Sequence, residues 1–300
     1  MEKNYLFTVF TPTYNRAYRI EELYKSLLLQ TCNDFEWLIV DDGSTDNTEE
    51  LISKFIREEK IDIKYIKQAN GGKHRAVNRG LKEAKGELFF IVDSDDKLPV
   101  NALAIAKEYY QQIKENSKVA GVVGLKCYFD GKVVGTAMQK DKIICTNFDY
   151  RYKYKIKGDR AEIIKTSIFK KYSFPEINEE RFIAEGIVWN RIAQKYKLLF
   201  FNKSIYECEY LLDGLSNASV KNRMKNPQGA CLLYQEYSTY NVPLLIKFKM
   251  VINYWRFRFC IKNKPLIAKK VNPLLSIIAL PIAFAFHLKD KKSVKSQNKK

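Results

Sequence analysis

Two periods of hydrophobic patterning alternate through the first third of the chain. Short apolar runs at Tyr5–Thr11, Phe35–Val40, Ile61–Ile66 and Glu87–Val92 read as buried strands. Between the first two, Ala17–Gln30 carries Ile20, Leu23, Leu27 and Leu28 at helical spacing. Further helices are expected from about Asp46, where Thr48, Glu49 and Glu50 supply a cap and first-turn acids, over Ala76–Ala84 after a Gly71-Gly72 turn, and from about Pro99. Strand–helix alternation of this kind predicts an α/β fold, a mostly parallel sheet with helices on both faces. Ligands of such sheets sit at the carboxyl ends of the strands. Two acidic clusters, Asp41-Asp42-Gly43-Ser44 and Asp93-Ser94-Asp95-Asp96, stand there.

Beyond residue 118 the pattern changes. Val119–Phe129 and Lys132–Ala137 flank Asp130-Gly131 and predict a hairpin. Phe182–Tyr196 reads as a helix and Leu198–Phe201 as a strand. From about residue 216 the chain is less regular, then basic and aromatic.

Charge sharpens this division. The 300 residues carry 52 Lys and Arg against 34 Asp and Glu, net +18. Residues 1–100 hold 15 basic and 18 acidic groups, whereas residues 241–300 hold 14 basic groups and one acid, Asp290. That asymmetry excludes a uniformly basic nucleic-acid binder and predicts an anionic partner for the tail. The six cysteines show no CxxC and no nearby histidine at ligand spacing, so reduced thiols are expected rather than a disulfide framework or zinc site. The apolar run at Tyr5–Phe10 breaks at Thr11-Pro12-Thr13, too short for a signal-peptide core.

Asp93 and Asp95 place two carboxylates two residues apart at a strand end, hard ligands suited to Mg²⁺ or Mn²⁺. The same residues also fit an acidic turn capping the next helix. Asp41-Asp42-Gly43-Ser44 reads equally as a turn or as acceptors for a nucleobase or ribose.

In order and spacing, Thr11-Pro12-Thr13-Tyr14-Asn15-Arg16, Asp41-Asp42-Gly43-Ser44, the stretch from Asn70 to Gly80 and Asp93-Ser94-Asp95-Asp96 resemble the inverting glycosyltransferases of family 2, which have the GT-A fold. The resemblance is clear over about residues 5–110 and traceable to about 215. It implies a nucleotide-diphosphate sugar donor, a divalent metal (Mn²⁺ or Mg²⁺) and single displacement by an acceptor hydroxyl. Carried over, Pro12 and Tyr14 lie beside the base, Asp41 accepts from it, and Arg16 and Ser94 join the donor site. Asp93 holds the ribose and, through water, the metal; Asp95 of the DxD motif ligates it directly. Lys73 and Arg75 fall where the family places cations near the diphosphate. His74 is either a polar loop residue or catalytic.

The family's base sits in a Glu-Asp pair four residues before a Trp. Counting back from Trp189 reaches Glu185, with Ala184 in the first position, so this chain departs from the pattern. Glu185 reads as base or as a helix-terminus acid, Glu179 and Glu180 compete with it, and Asp213 reads as a turn or a donor contact.

Residues 244–260 interleave bulky apolar groups with cations. Val271 to Leu288 is uncharged, contains Pro273 and Pro281, and is flanked by Lys269, Lys270, Lys289, Lys291 and Lys292. An interfacial or re-entrant anchor, a spanning helix and a buried core helix are all open; cations on both flanks favour both ends on the cytoplasmic face of the cell membrane.

The expectation is therefore a GT-A domain over 1–240 and a basic, helical membrane-associating tail over 241–300. Resemblance and tail together imply transfer from a nucleotide sugar, UDP-linked, to a lipid-linked or polysaccharide acceptor in surface-glycan (capsule-type) synthesis at an anionic membrane surface, with no nucleic acid partner. The alternative is a catalytically silent nucleotide-sugar-binding or scaffold protein at the membrane.

Overall fold

The computed structural model describes residues 4–209, 218–262 and 267–297. They divide into two compact units, one drawn from residues 1–173 and 191–209, the other from 174–190 and 210–300.

In chain order the elements are β1 (Tyr5–Thr13), α1 (Ile20–Leu28), β2 (Phe35–Asp41), α2 (Thr48–Arg57), β3 (Ile63–Lys67), α3 (Lys73–Glu83), β4 (Gly86–Ile91), α4 (Ala102–Gln111), β5 (Val119–Tyr128), β6 (Lys142–Cys145), β7 (Arg160–Lys165), α5 (Thr166–Phe169), α6 (Gly186–Ala193), β8 (Lys197–Cys208), α7 (Ser219–Lys225), α8 (Pro227–Thr239), α9 (Leu244–Arg258) and α10 (Pro273–Gln297).

The first unit is built on one eight-stranded sheet in the order β3-β2-β1-β4-β7-β5-β8-β6. All strands but β6 and β7 run in the same direction. The sheet is mostly parallel, as the alternation predicts, and helices cover both faces. Alternation along β1 sorts the core. Phe7 and Val9 join Trp37, Leu88 and Phe90 in one cluster with Leu23 of α1, Phe55 of α2 and Ala106 of α4. On the opposite face Phe10 stacks on Phe89, which meets Phe169 of α5 edge-on. Gly80 of α3 lies so near Phe10 that a Cβ there would enter the ring. Pro12 lacks an N–H, and it sits where β1 still pairs with β2 but has left β4. β1 and β4 thus stop pairing at this end while β1 and β2 run on.

Two expectations are corrected here. The Asp130-Gly131 turn forms, with Gly131 at φ 82 and its N–H on the Tyr128 carbonyl. The second arm expected over Lys132–Ala137 pairs only as far as Val134, through the Cys127–Val133 bridge and the hydrogen bonds Tyr128 N–H to Lys132 O (2.8 Å) and Val134 N–H to Lys126 O (2.9 Å). From Leu125 back to Gly121 that edge of β5 is taken by β7, and β8 holds the other, so the arm cannot extend further. The helix expected over Phe182–Tyr196 runs only over Gly186–Ala193; upstream of it Asn226 Oδ1 accepts from the N–H groups of Arg181 and Phe182.

In the second unit, Ala230 and Cys231 of α8, Val251, Tyr254 and Phe257 of α9, and Ala279 and Ala283 of α10 form one apolar cluster. Residue 240, the expected end of the GT-A domain, falls inside this unit between α8 and α9. Arg256 grips Asp290 with two hydrogen bonds of 2.6 and 2.7 Å, and Trp255 Nε1 donates to Ser276 Oγ at 2.9 Å. The side of α10 against α9 thus carries Ser276, Ala279, Ala283, His287 and Asp290, small or polar and all buried. Its open side carries Leu274, Ile277 and Ile278, with exposures of 74, 70 and 61%. α10 is inverted: polar inside and apolar outside. By length and composition alone it could cross a membrane, and Pro281 lies within it.

Candidate active site

The site of the first unit assembles from strand ends. After β1, Asn15 adopts φ 51; its N–H donates to Ser44 Oγ (2.8 Å), and its Oδ1 accepts from the Thr45 N–H (2.8 Å). The β1 and β2 loops are thereby joined. Pro12 is buried, the neighbouring Tyr14 ring is 48% exposed, and Arg16 is half-buried.

Asp41 closes β2 fully buried. Its Oδ1 accepts from the Ser44 N–H at 2.7 Å and its Oδ2 from Tyr65 Oη at 2.7 Å, so it shapes the turn as an acceptor. Asp42, to which the sequence assigned no separate role, holds the other side. It accepts from Gln68 Nε2 (2.8 Å) and from the N–H groups of Gly71 (2.9 Å) and Gly72 (2.6 Å). Gly72, at φ 98, then starts α3 at Lys73, earlier than expected. Lys73, His74 and Arg75 are therefore in a helical first turn rather than a loop. His74 is buried; Lys73 and Arg75 are half-buried, at the helix end that favours anions.

Lys73 Nζ lies 2.6 Å from Asp93 Oδ1. Burial would raise the Asp93 carboxyl, but the charges of Lys73, Lys126 and Arg16 outweigh it and hold the group below its ordinary value. Asp95, half-buried, is raised by burial and by the negative charge of Asp93. Ser94 between them is buried. Asp96 turns inward, accepts from Tyr206 Oη at 2.7 Å, and is pushed up to about 7 by burial and by Asp93. Tyr206 also accepts from the Asp93 N–H (3.0 Å), and Lys126 Nζ stands 3.9 Å from its ring centroid. Tyr206 and Lys126, on β8 and β5, complete the strand-end cluster; no local pattern marked them.

The donor chemistry fits a divalent cation. Asp93 and Asp95 offer hard carboxylate oxygens, and a cation relieves the repulsion that raises Asp95. Among the described residues no group of three His, Cys, Asp or Glu is placed to hold a metal ion.

The second unit carries Glu185, half-buried immediately before α6, with its carbonyl accepting from the Val188 and Trp189 N–H groups at 3.0 and 3.4 Å. Glu180 is spoken for: its carboxylate accepts from the N–H groups of Gln228 (2.6 Å) and Gly229 (2.7 Å) and caps α8. Glu179 is exposed with φ 67. Asp213 lies outside the described residues.

The family profile described as glycosyl transferase family 2 matches residues 8–174. Glycosyltransferase GlyG of Streptococcus pneumoniae is 38% identical over 111 residues, 37% of this chain and 36% of that protein. A Campylobacter jejuni GalNAc(5)-diNAcBac-PP-undecaprenol beta-1,3-glucosyltransferase is 29% identical over 203 residues, 66% of this chain and 62% of that protein. This chain thus spans about a third of the first relative's length and less than two thirds of the second's. The crystal structure of residues 1–349 of Staphylococcus aureus TarS with UDP-GlcNAc matches 98% of this chain and 91% of that one, with TM-score 0.64 and 21% identity. The sheet order, the acidic strand ends and these likenesses agree on the GT-A fold, and the chain belongs to glycosyl transferase family 2.

Proposed function

We propose that this chain is an inverting, metal-dependent glycosyltransferase. It moves a sugar from a UDP-linked donor to a hydroxyl of a lipid-linked or polysaccharide acceptor in surface-glycan synthesis. The observation that carries this reading is the convergence of the β1, β2 and β4 ends on one site, where the first turn of α3 brings Lys73 to 2.6 Å from Asp93. That arrangement suits a nucleoside diphosphate: Tyr14 offers an exposed face to the base with Pro12 buried behind it, Asp41 fixes the turn beside the base, Asp93 offers an acceptor to the ribose, and Lys73, Arg75 and Arg16 balance phosphate charge. A Mn²⁺ or Mg²⁺ held by Asp95, with Asp93 beside it, would supply positive charge to the leaving diphosphate. Support for the donor and acceptor classes comes from the UDP-GlcNAc bound by TarS and from the diphosphate-lipid substrate named for the Campylobacter relative.

Glu185 acts as the base in this reading. It takes the proton from the acceptor hydroxyl as that oxygen attacks the anomeric carbon in line, while the bond to the diphosphate breaks on the opposite side and the configuration inverts. Its support is its place at the start of α6, four residues before Trp189. The inverted α10, with the basic residues around it, supports attachment of the second unit to an anionic membrane surface on the cytoplasmic face.

Incubation with a panel of UDP-sugars and Mn²⁺, with and without a lipid-diphosphate sugar acceptor, tests the reading. Release of UDP, with product of inverted anomeric configuration, is expected. UDP binding without turnover on any donor would leave the silent sugar-nucleotide-binding protein instead.

A further inference from the structure

The segment between β6 and β7 reads Arg151-Tyr152-Lys153-Tyr154-Lys155-Ile156-Lys157, cations alternating in sequence with apolar or aromatic groups that the donor site does not use; Asp149–Lys153 form a π-helical turn and the residues after it are irregular. Its position follows from register. β7 runs antiparallel to β4, with Phe90 opposite Ile163, so Arg160, three residues earlier, comes level with Asp93. On its other side Arg160 pairs with Leu125 of β5, one residue before Lys126. The segment therefore enters at the same carboxyl edge as the acidic cluster.

The segment is also built rather than loose. Arg160, 3% exposed, donates to Tyr150 Oη and to the carbonyls of Val134, Thr136, Lys157 and Asp159. All these acceptors are neutral, so its charge is oriented but not cancelled. Gly135 (φ 81) and Gly158 (φ 96) abut so closely that a Cβ on either would enter the other strand's carbonyl. The Thr136 N–H donates to the Lys157 carbonyl at 3.0 Å, and the Lys157 N–H to Thr136 Oγ1 at 3.0 Å. Arg151 Nη1 is held by the Gly158 carbonyl at 3.0 Å. On this frame Lys153, Lys155 and Lys157 are exposed, and Lys155 is kept at φ 57, a left-handed conformation costly for a residue with a Cβ.

We infer that the Lys153–Lys157 ridge is an acceptor-side anion site that binds the phosphate groups carried by the acceptor. This rests on the transferase reading above and names the chemical class of the acceptor: one with phosphate near the hydroxyl that attacks. Ammonium groups on a fixed frame recognise phosphate by charge, and Tyr154 and Ile156 between them give apolar faces to whatever bears it. Phosphate borne by a lipid and phosphate repeated along a polymer share this chemistry.

The test uses the full chain with two probes, farnesyl diphosphate in neutral detergent and inorganic tripolyphosphate, and measures UDP binding with Mn²⁺ alongside. Combining Lys153→Gln, Lys155→Gln and Lys157→Gln should weaken at least one probe tenfold or more and leave UDP affinity within twofold. Loss confined to farnesyl diphosphate identifies a lipid source, and loss confined to tripolyphosphate a polymer source. Lys155→Gly guards against misfolding: it should keep or raise the melting temperature while weakening the same probe. Probe binding unchanged in both variants, no probe binding by the wild type, or a parallel fall in UDP affinity would overturn the inference. Failure of the wild type to bind UDP would overturn the transferase reading itself.

Discussion

Lys73 and Asp93 form an ion pair of 2.6 Å between the first turn of α3 and the residues just past β4. The lysine pairs with one carboxylate of the cluster, Asp96 is turned inward onto Tyr206, and Asp95, raised by burial and by Asp93, is left half-buried for an incoming cation. Lys73→Gln removes both the pair and a phosphate donor. UDP affinity should fall roughly 10- to 100-fold, the range of a lost charge-assisted hydrogen bond, and calorimetric titration with UDP reads it. Because the lysine is half-exposed, the melting temperature should change little.

Asp95→Asn keeps the shape of the strand end but weakens the site as a cation ligand. Transfer should be nearly abolished, and Mn²⁺-dependent UDP binding should lose its metal dependence. Full activity of the variant, or of the wild type in excess chelator, would exclude the metal-dependent mechanism.

Glu185→Gln preserves size but cannot accept a proton. Turnover should fall about 10²–10⁴-fold with donor KM nearly unchanged. Glu180→Gln should act differently. Two backbone N–H groups of α8 lose a charged partner, so stability should drop by about 1–2 kcal/mol, read by urea unfolding. Normal turnover in the Glu185 variant would move the base elsewhere.

The open face of α10 offers a cleaner membrane test than truncation. A chain ending near 240 would uncover Cys231 and Ala230 of the second cluster. Replacing Leu274, Ile277 and Ile278 with Gln touches exposed positions only. Sedimentation with vesicles containing phosphatidylglycerol should fall sharply for this variant and persist in moderate salt for the wild type, since burial of apolar area does not screen as charge does. Equal binding by both proteins would place the anchor elsewhere.

Buried thiols give a pH dependence with a definite sign. Burial raises Cys208 and Cys260 to about 11 and Cys145 to about 12, above the ordinary thiol value of 9.0. Between pH 9 and 11 the unfolded chain has released these protons and the folded chain still holds them. Stability should therefore fall as pH rises through that window and stay level with respect to these groups below it. Urea midpoints from pH 8 to 10.5, compared with a Cys145→Ala, Cys208→Ala, Cys260→Ala protein, check this; an equal slope in both would exclude the thiols as its cause.

The sheet and the acidic strand ends were legible in the sequence because each depends on a local signal. An apolar run predicts β4 and two carboxylates follow it. What escaped depends on contacts far along the chain. Tyr206 meets Asp96 across 110 residues, and Asp42 holds Gly72 across 30. Gln228 and Gly229 claim Glu180 from 48 and 49 residues away, so three nearby glutamates looked alike until their partners were visible. The second arm of the hairpin stopped short for a related reason. Turn chemistry at Asp130-Gly131 was read correctly and the arm starts, but the capture of Gly121–Leu125 by β7, which stops it at Val134, is a property of the whole sheet.

Asp42 has a further consequence. Its two oxygens take three donors from the stretch between β3 and α3, so the amide-rich mouth of that helix is set before any nucleotide arrives. The Gly71 and Gly72 amides are spent on Asp42 and fix the loop rather than wait for a ligand. For a diphosphate bound there as proposed, little configurational freedom remains to be lost on that wall, which acts as a rigid gauge that rejects a misfit rather than moulding to it.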